Sequence, residues 1–305
     1  MIDSKGVVPL KNLEITMSHI SVPAAEEIID QPIQCLDHGF VRLIDYMGSD
    51  ESIVQAARVS YGKGTKQVRQ DRSLIRYLLR HQHTSPFEMV ELKFHCKMPI
   101  FVARQWIRHR SANVNEYSLR YSRAIGDFYI PDRENIRFQS KSNRQGRSEE
   151  EVPDDLKQRV LDILTATSDR TWQDYEDLEA NNIARELARI HLPVNLYTEW
   201  YWKIDLSNLM HFLKLRMDDH AQYEIRVYAQ AIASIVQRVV PLSWEAFTDY
   251  VYNSRNFSKI EMNIIRNVLA SGSEPRDWEQ IALEHGLEKL EAQEFASKFT
   301  TDRDI

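Results

Sequence analysis

Between Arg104 and Arg123 the chain carries five arginines, one histidine, no lysine and a single acid, Glu116. The densest part is RHRSANVNEYSLR at residues 108–120, which opens on Arg108, His109 and Arg110 and closes on Arg120. A guanidinium is a planar fork that binds phosphate or carboxylate through two parallel bonds, which an ammonium cannot do. Gathering several of them is unfavourable unless something anionic neutralises them. That neutraliser is either a set of structural ion pairs on a solvated face or an anionic ligand. The short hydrogen-bonding side chains of SANVNEYS suit backbone N–H groups shaped around an anion, so the segment points to a phosphate-bearing ligand. Arg216, in LKLRMDDH, is a second candidate: a permanent cation able to stabilise an anion formed beside it, or else an ion-pair partner of Asp218 or Asp219. His81, His83 and His95 match no recognised metal-ligand spacing. Cys96 alternates onto the apolar face of its segment, where a thiol is packing rather than a nucleophile.

These residues need elements to hold them. In MVELKFHCKM, Val90, Leu92, Phe94, Cys96 and Met98 alternate with Glu91, Lys93, His95 and Lys97, a strand with one buried face. Pro99 then opens a helix through IFVARQWIRHR, with Val102, Ala103, Trp106 and Ile107 facing a core and Gln105, Arg108 and His109 on another flank. Upstream, FVRLIDYM reads as a strand, ESIVQAARVS as a helix, YGKGTK as a turn, and RSLIRYLLRHQ as a helix capped by Asp71. Residues 139–154 have almost no apolar anchor and are expected to be a mobile surface loop. Helical patterns resume over 155–179 and 182–191. NLYTEWYWKI is an aromatic strand, Asp205 caps LSNLMHFLKLRM, and a long helix runs from Ala221 to Val239 with Ile225, Tyr228, Ile232, Val236 and Val239 on one stripe. Short helical segments lie around Ile260–Leu269, Trp278–Leu283 and Leu290–Phe299. The expected organisation is an N-terminal extension over 1–36 with little claim to a core, a main domain over 37–255, and a helical C-terminal extension over 256–305.

The 305 residues make one large domain, or one with an appendage, and the pattern is α+β with neither a βαβ rhythm nor a G-x-G-x-x-G segment. With a formal net charge of -6, a whole-surface affinity for nucleic acid or anionic membrane is disfavoured, so any anion site is local. Two cysteines make no disulfide framework, and no apolar run reaches the roughly 20 residues of a membrane helix. The opening MIDSKGVVPLKNLE has no apolar core of the secretory kind. A cytoplasmic protein without membrane partners is expected. The rival from another class is a nucleic-acid-binding module built on the arginines and nearby tyrosines. EPRDWEQIALEHGLEKLE reads as two packing helices around a Gly turn.

Arg108-His109-Arg110, seven residues and Ser118 resemble the signature of the flavin-dependent thymidylate synthases, the ThyX family. The likeness continues through PFEMVELKFHCKMPIFVARQWIRHRSANVNEYSLRYS, LPVNLYTEWYWKI and LMHFLKLRMDDHAQYEIRVYAQAIA, covering roughly residues 37–250. It implies a central, mostly antiparallel sheet flanked by helices, assembled as a homotetramer with shared active sites. It also implies conversion of dUMP to dTMP, with 5,10-methylenetetrahydrofolate as carbon donor, FAD as hydride carrier and NADPH as reductant. No protein cysteine acts as nucleophile.

By the match, Arg108, His109, Arg110, Ser60 and Ser85 resemble flavin contacts, His83 lies near the flavin ring, and Glu116 joins flavin and nucleotide. Gln105, Arg108, Ser118, Arg120, Arg189 and Arg216 match nucleotide contacts, with Arg120 and Ser118 a phosphate clamp. Arg216 matches the catalytic arginine, set against the uracil to favour loss of its N3 proton. His211 fits a further flavin position. The chain departs from the pattern at 205–207, where Asp205 and Ser207 stand in place of an expected Asn and, often, Arg. Neither can supply the amide or the charge, which puts the flavin contacts there in doubt.

Overall fold

A computed structural model describes residues 20–59, 68–140, 146–272 and 277–299. The chain runs through α1 (Pro23–Glu26), β1 (Ile33–Cys35), β2 (Gly39–Met47), α2 (Asp50–Val59), α3 (Val68–Arg80) and β3 (Glu91–Pro99). Next come α4 (Ile100–Trp106), β4 (Asn113–Glu116), β5 (Arg137–Gln139), β6 (Arg147–Glu151), α5 (Asp154–Ala180) and α6 (Arg185–Ala188). After β7 (Tyr197–Asp205) follow α7 (Leu206–Arg216), α8 (Tyr223–Val239) and α9 (Pro241–Phe247). The last described elements are α10 (Lys259–Ser271), α11 (Trp278–Glu284) and α12 (Lys289–Ser297).

Five strands form one antiparallel sheet in the order β1-β2-β3-β7-β4. Its middle strand, β3, is the one whose alternation is clearest: Leu92, Phe94, Cys96 and Met98 are fully buried. The other face is polar and laced across strands, with His95 at 2.9 Å from Glu199 and Lys203 at 2.8 Å from Glu91. Helices cover the apolar face. The expected stripe of α8 is buried along its whole length, Ile225, Tyr228, Ile232, Val236 and Val239 among them. Gly39 admits α8 to the sheet, because a Cβ there would lie 1.9 Å from the Tyr228 hydroxyl. The result is an α+β fold with an antiparallel sheet flanked by helices, as expected.

Several local expectations are corrected. Residues 23–35 are not idle: Ala25 and Cys35 are buried in the main core, and β1 extends the sheet. β1 pairs with the neighbouring β2, and α8, far along the chain, packs against both α1 and β1, which the composition of this segment did not advertise. Asp71 does not cap α3, which starts at Val68; it lies in the first turn and pairs with Arg58 at 2.6 Å. The stretch expected as a loop at 139–154 contains β6, paired with β5, while residues 141–145 lie outside the described set. Pro241 begins α9, where its missing N–H is no loss. Residues 257–272 and 277–299 pack around their own small core of Ile264, Ala282, Leu287, Ala292 and Phe295.

Candidate active site

The RHR segment lies in a turn, not on a helical flank. α4 ends at Trp106, the His109 amide donates to the Trp106 carbonyl at 3.0 Å, and the chain turns outward to join β7 as edge strand β4. Ile107, expected in the core, is therefore 46% exposed. The turn is anchored from below by Trp106, fully buried, with Trp202 and Phe212 rings each 5.1 Å away. Aromatic packing of this density fixes where the RHR segment after it begins.

Arg216 closes α7 from the other side, at a helix C-terminus whose carbonyl dipoles favour a cation. Its Nε donates to His109 Nε2 at 3.0 Å, and the His109 ring stands edge-on to Phe212 at 4.9 Å. Burial first, then the Arg216 and His211 charges, push the His109 pKa down to about 4. His109 is thus a neutral acceptor at pH 7. Burial and the nearby Arg108 cation also lower the Arg216 pKa from its usual value.

Arg108, His109, Arg110, His211 and Arg216 line one cleft of about 350 Å³, and no Asp or Glu among the described residues lines it. Among the described residues none of Arg108, Arg110 and Arg216 has a carboxylate partner. Many arginines elsewhere do, as in Arg226–Asp219 at 3.2 Å. The expected alternative for Arg216, a pair with Asp218 or Asp219, is not formed: Asp219 holds Arg226, and Asp218 bonds His220 at 2.8 Å. The structural ion-pair reading does hold for Arg123, at 2.6 Å from Glu176, and Arg120, at 3.2 Å from Glu186.

A second cleft of about 370 Å³ meets the first at His211 and carries His83 and Ser207 on its walls. Asp205 is occupied as the N-cap of α7, accepting from the Asn208 amide at 2.9 Å and its side chain at 2.7 Å. Ser85 is exposed and lines neither cleft, and Ser60 lies outside the described residues.

The other expected residues stand apart. Glu116 ends β4 and accepts from Thr198 at 2.8 Å; Ser118 and Arg120 follow in the next turn, where the Arg120 amide donates to Ser118 Oγ at 3.4 Å. Arg189 is half-buried just after α6. Gln105 donates its amide to Gln222, which in turn donates to the buried Glu224 at 2.8 Å. Within one chain, the expected nucleotide contacts therefore divide between the Arg216 cleft and the β4–α6 edge. Sequence reasoning missed Arg80 and Lys214 in the second cleft. The signal was available for Lys214, which follows Ser207 and His211 at helical spacing.

A sheet-and-helix frame that holds guanidiniums with no carboxylate partner among the described residues over two clefts that share His211 suits phosphorylated ligands. Comparison with known proteins narrows that class. A family model described as "Thymidylate synthase complementing protein" matches residues 42–242. The flavin-dependent thymidylate synthase of Rickettsia bellii is 51% identical over 282 residues, covering 86% of this chain and 96% of that one. That of Wolbachia pipientis wMel is 53% identical over 256 residues, covering 84% and 90%. Among solved structures, a UMP/dUMP methylase, PolB of Streptomyces cacaoi bound with 5-Br UMP, superposes with a TM-score of 0.65 at 33% identity. It covers 73% of this chain and 99% of its own. The chain belongs to the flavin-dependent thymidylate synthase family, and so to the methyltransferases that use a flavin.

Proposed function

We propose that this chain methylates dUMP to dTMP in the cytoplasm, with 5,10-methylenetetrahydrofolate as carbon donor, FAD as the flavin and NADPH as its reductant. The observation that carries the reading is the acid-free cleft between the RHR turn and the end of α7. Three guanidiniums there lack a carboxylate partner among the described residues, which suits the pyrophosphate of FAD and the phosphate of a nucleotide.

Arg216 is the catalytic residue in this reading. His109 occupies its Nε, so the two terminal nitrogens are left to face a ligand. A half-buried cation beside the uracil stabilises the anion formed when N3 loses its proton, and the electron-rich ring then attacks the folate-derived carbon. Cys96 has no part in this, being fully buried with its thiol pKa raised by burial. FAD, when bound here and first reduced by NADPH, would supply the hydride. His83, Ser85, Arg108, Arg110, His211 and Ser207 are assigned to the flavin, with Ser60 by resemblance alone. Asp205 contributes there by capping α7.

Gln105, Glu116, Ser118, Arg120 and Arg189 are assigned to dUMP, and most of them lie away from the Arg216 cleft in a single chain. A homotetramer with shared sites accounts for that division. The β4–α6 edge supports it, exposing Tyr121 at 79%, Ile190 at 77% and Leu187 at 56% beside Arg120 and Arg189. A nucleic-acid module is not supported, since family membership places the chain among enzymes. No helix among the described residues is long and apolar enough to cross a membrane. Residues 256–305 are taken as a packing extension.

The test is direct. Purified protein is expected to be yellow and to release tritium from labelled dUMP when folate and NADPH are added. Arg216→Ala is expected to abolish dTMP formation while flavin stays bound; full activity in that variant would remove the catalytic assignment.

A further inference from the structure

The second cleft holds two cations that no functional assignment above uses. Arg72, Arg76 and Arg80 form one row on α3, spaced at four residues and so on one face. The first two are neutralised: Arg72 and Arg76 both bond Glu245, and Arg76 also reaches Asp249. Arg80, one turn further, has no carboxylate partner among the described residues. It bonds only the Tyr250 hydroxyl, at 3.5 Å, and stands 5.6 Å from that ring.

Across the cleft, Ser207, His211 and Lys214 follow one another along α7 at spacings of four and three, which again is a single face. Lys214 is half-buried, and no carboxylate pairs with it among the described residues. Neither Asp nor Glu among the described residues lines this cleft, while Phe87, Met210 and Val251 give it apolar surface. Holding an ammonium partly out of water without a counter-charge is unfavourable unless a ligand supplies one.

We propose that Arg80 and Lys214 together bind a phosphate group of a dinucleotide that extends from the Arg108–Arg216 cleft past His211 into this one. The proposal rests on the functional reading above and deepens it. Position 207 offers no charge, and the cation lies two helical turns further along the same face, at Lys214. The dinucleotide is the flavin or the nicotinamide reductant, which carry the same pyrophosphate chemistry.

The experiment uses full-length protein carrying Lys214→Gln, Arg80→Gln, both together, or Lys214→Arg. Affinities for FAD and riboflavin are read by flavin fluorescence, that for dUMP by titration, and KM for NADPH by flavin reduction; melting temperature monitors folding. Each Gln variant is expected to weaken the dinucleotide about tenfold and the pair about a hundredfold. Lys214→Arg, riboflavin affinity and dUMP affinity stay near wild type. A loss confined to FAD, or confined to the NADPH KM, supports the site and names its occupant. Variants that bind FAD and NADPH like wild type overturn the proposal alone. Equal losses for riboflavin and FAD, with no change for NADPH, also overturn it, because the phosphates are then irrelevant. A wild-type protein with no flavin affinity overturns the functional reading and this site with it.

Discussion

The contact between His109 and Arg216 makes stability depend on pH in a direction that can be worked out. His109 has its pKa pushed from 6.5 to about 4 in the folded chain. Between those values the unfolded chain binds a proton that the folded chain refuses. Stability from this group is therefore complete above pH 6.5 and falls as pH drops toward 4. At pH 5 the two pKa values give a loss of roughly 2 kcal/mol relative to pH 7.5, and partial solvent access brings that nearer 1 kcal/mol. His109→Gln is the perturbation, since its amide oxygen can still accept from Arg216 Nε but does not titrate. Urea unfolding of ligand-free wild type and variant at pH 7.5 and 5.0 cancels the carboxylates common to both. The wild type is expected to lose about 1–2 kcal/mol more than the variant over that interval. Added dUMP should shrink the difference, because an anion beside Arg216 offsets the repulsion that keeps His109 neutral. Equal losses in both proteins would refute a neutral histidine held against a guanidinium.

Cys96→Ala is expected to retain turnover measured by dTMP formation, with any cost appearing as lower melting temperature from the cavity left in the core. Arg120→Ala should weaken dUMP more than FAD in parallel titrations. Inactive Arg120→Ala and Arg216→Ala chains, unfolded and refolded together, should recover part of the wild-type activity if one site draws these residues from two chains. No recovery, with mixed assemblies demonstrated by mass spectrometry, would place both residues in the same chain's site.

Much of the frame could be read from local pattern. The alternation of β3, the Asp205 cap of α7 and the stripe of α8 each depend on neighbours within a turn or two, and the structure bears out all three. The expected end of α4 was wrong for a complementary reason. Ile107 has helical spacing and an apolar side chain, but the demand that the chain reach the sheet edge at Asn113 ends the helix at Trp106. The β5–β6 pair was invisible because β6 is polar on both faces and β5 has only three residues, so no alternation marks them. Ala25 reaches the core from a helix of four residues and Cys35 from a strand of three, both too short to carry a signal.

By itself, the order of residues determined the kinds of element, the family and the presence of more guanidinium than a surface face asks for. Only the tertiary structure decided which of those cations are neutralised within the chain and which are left open to a ligand. Arg120 and Arg123 find carboxylates, whereas Arg108, Arg110 and Arg216 find none among the described residues. His109 and Arg216 meet across 107 positions. Charge pairing acts through space at a few ångströms, and distance along the chain says nothing about it until the sheet and α7 have closed.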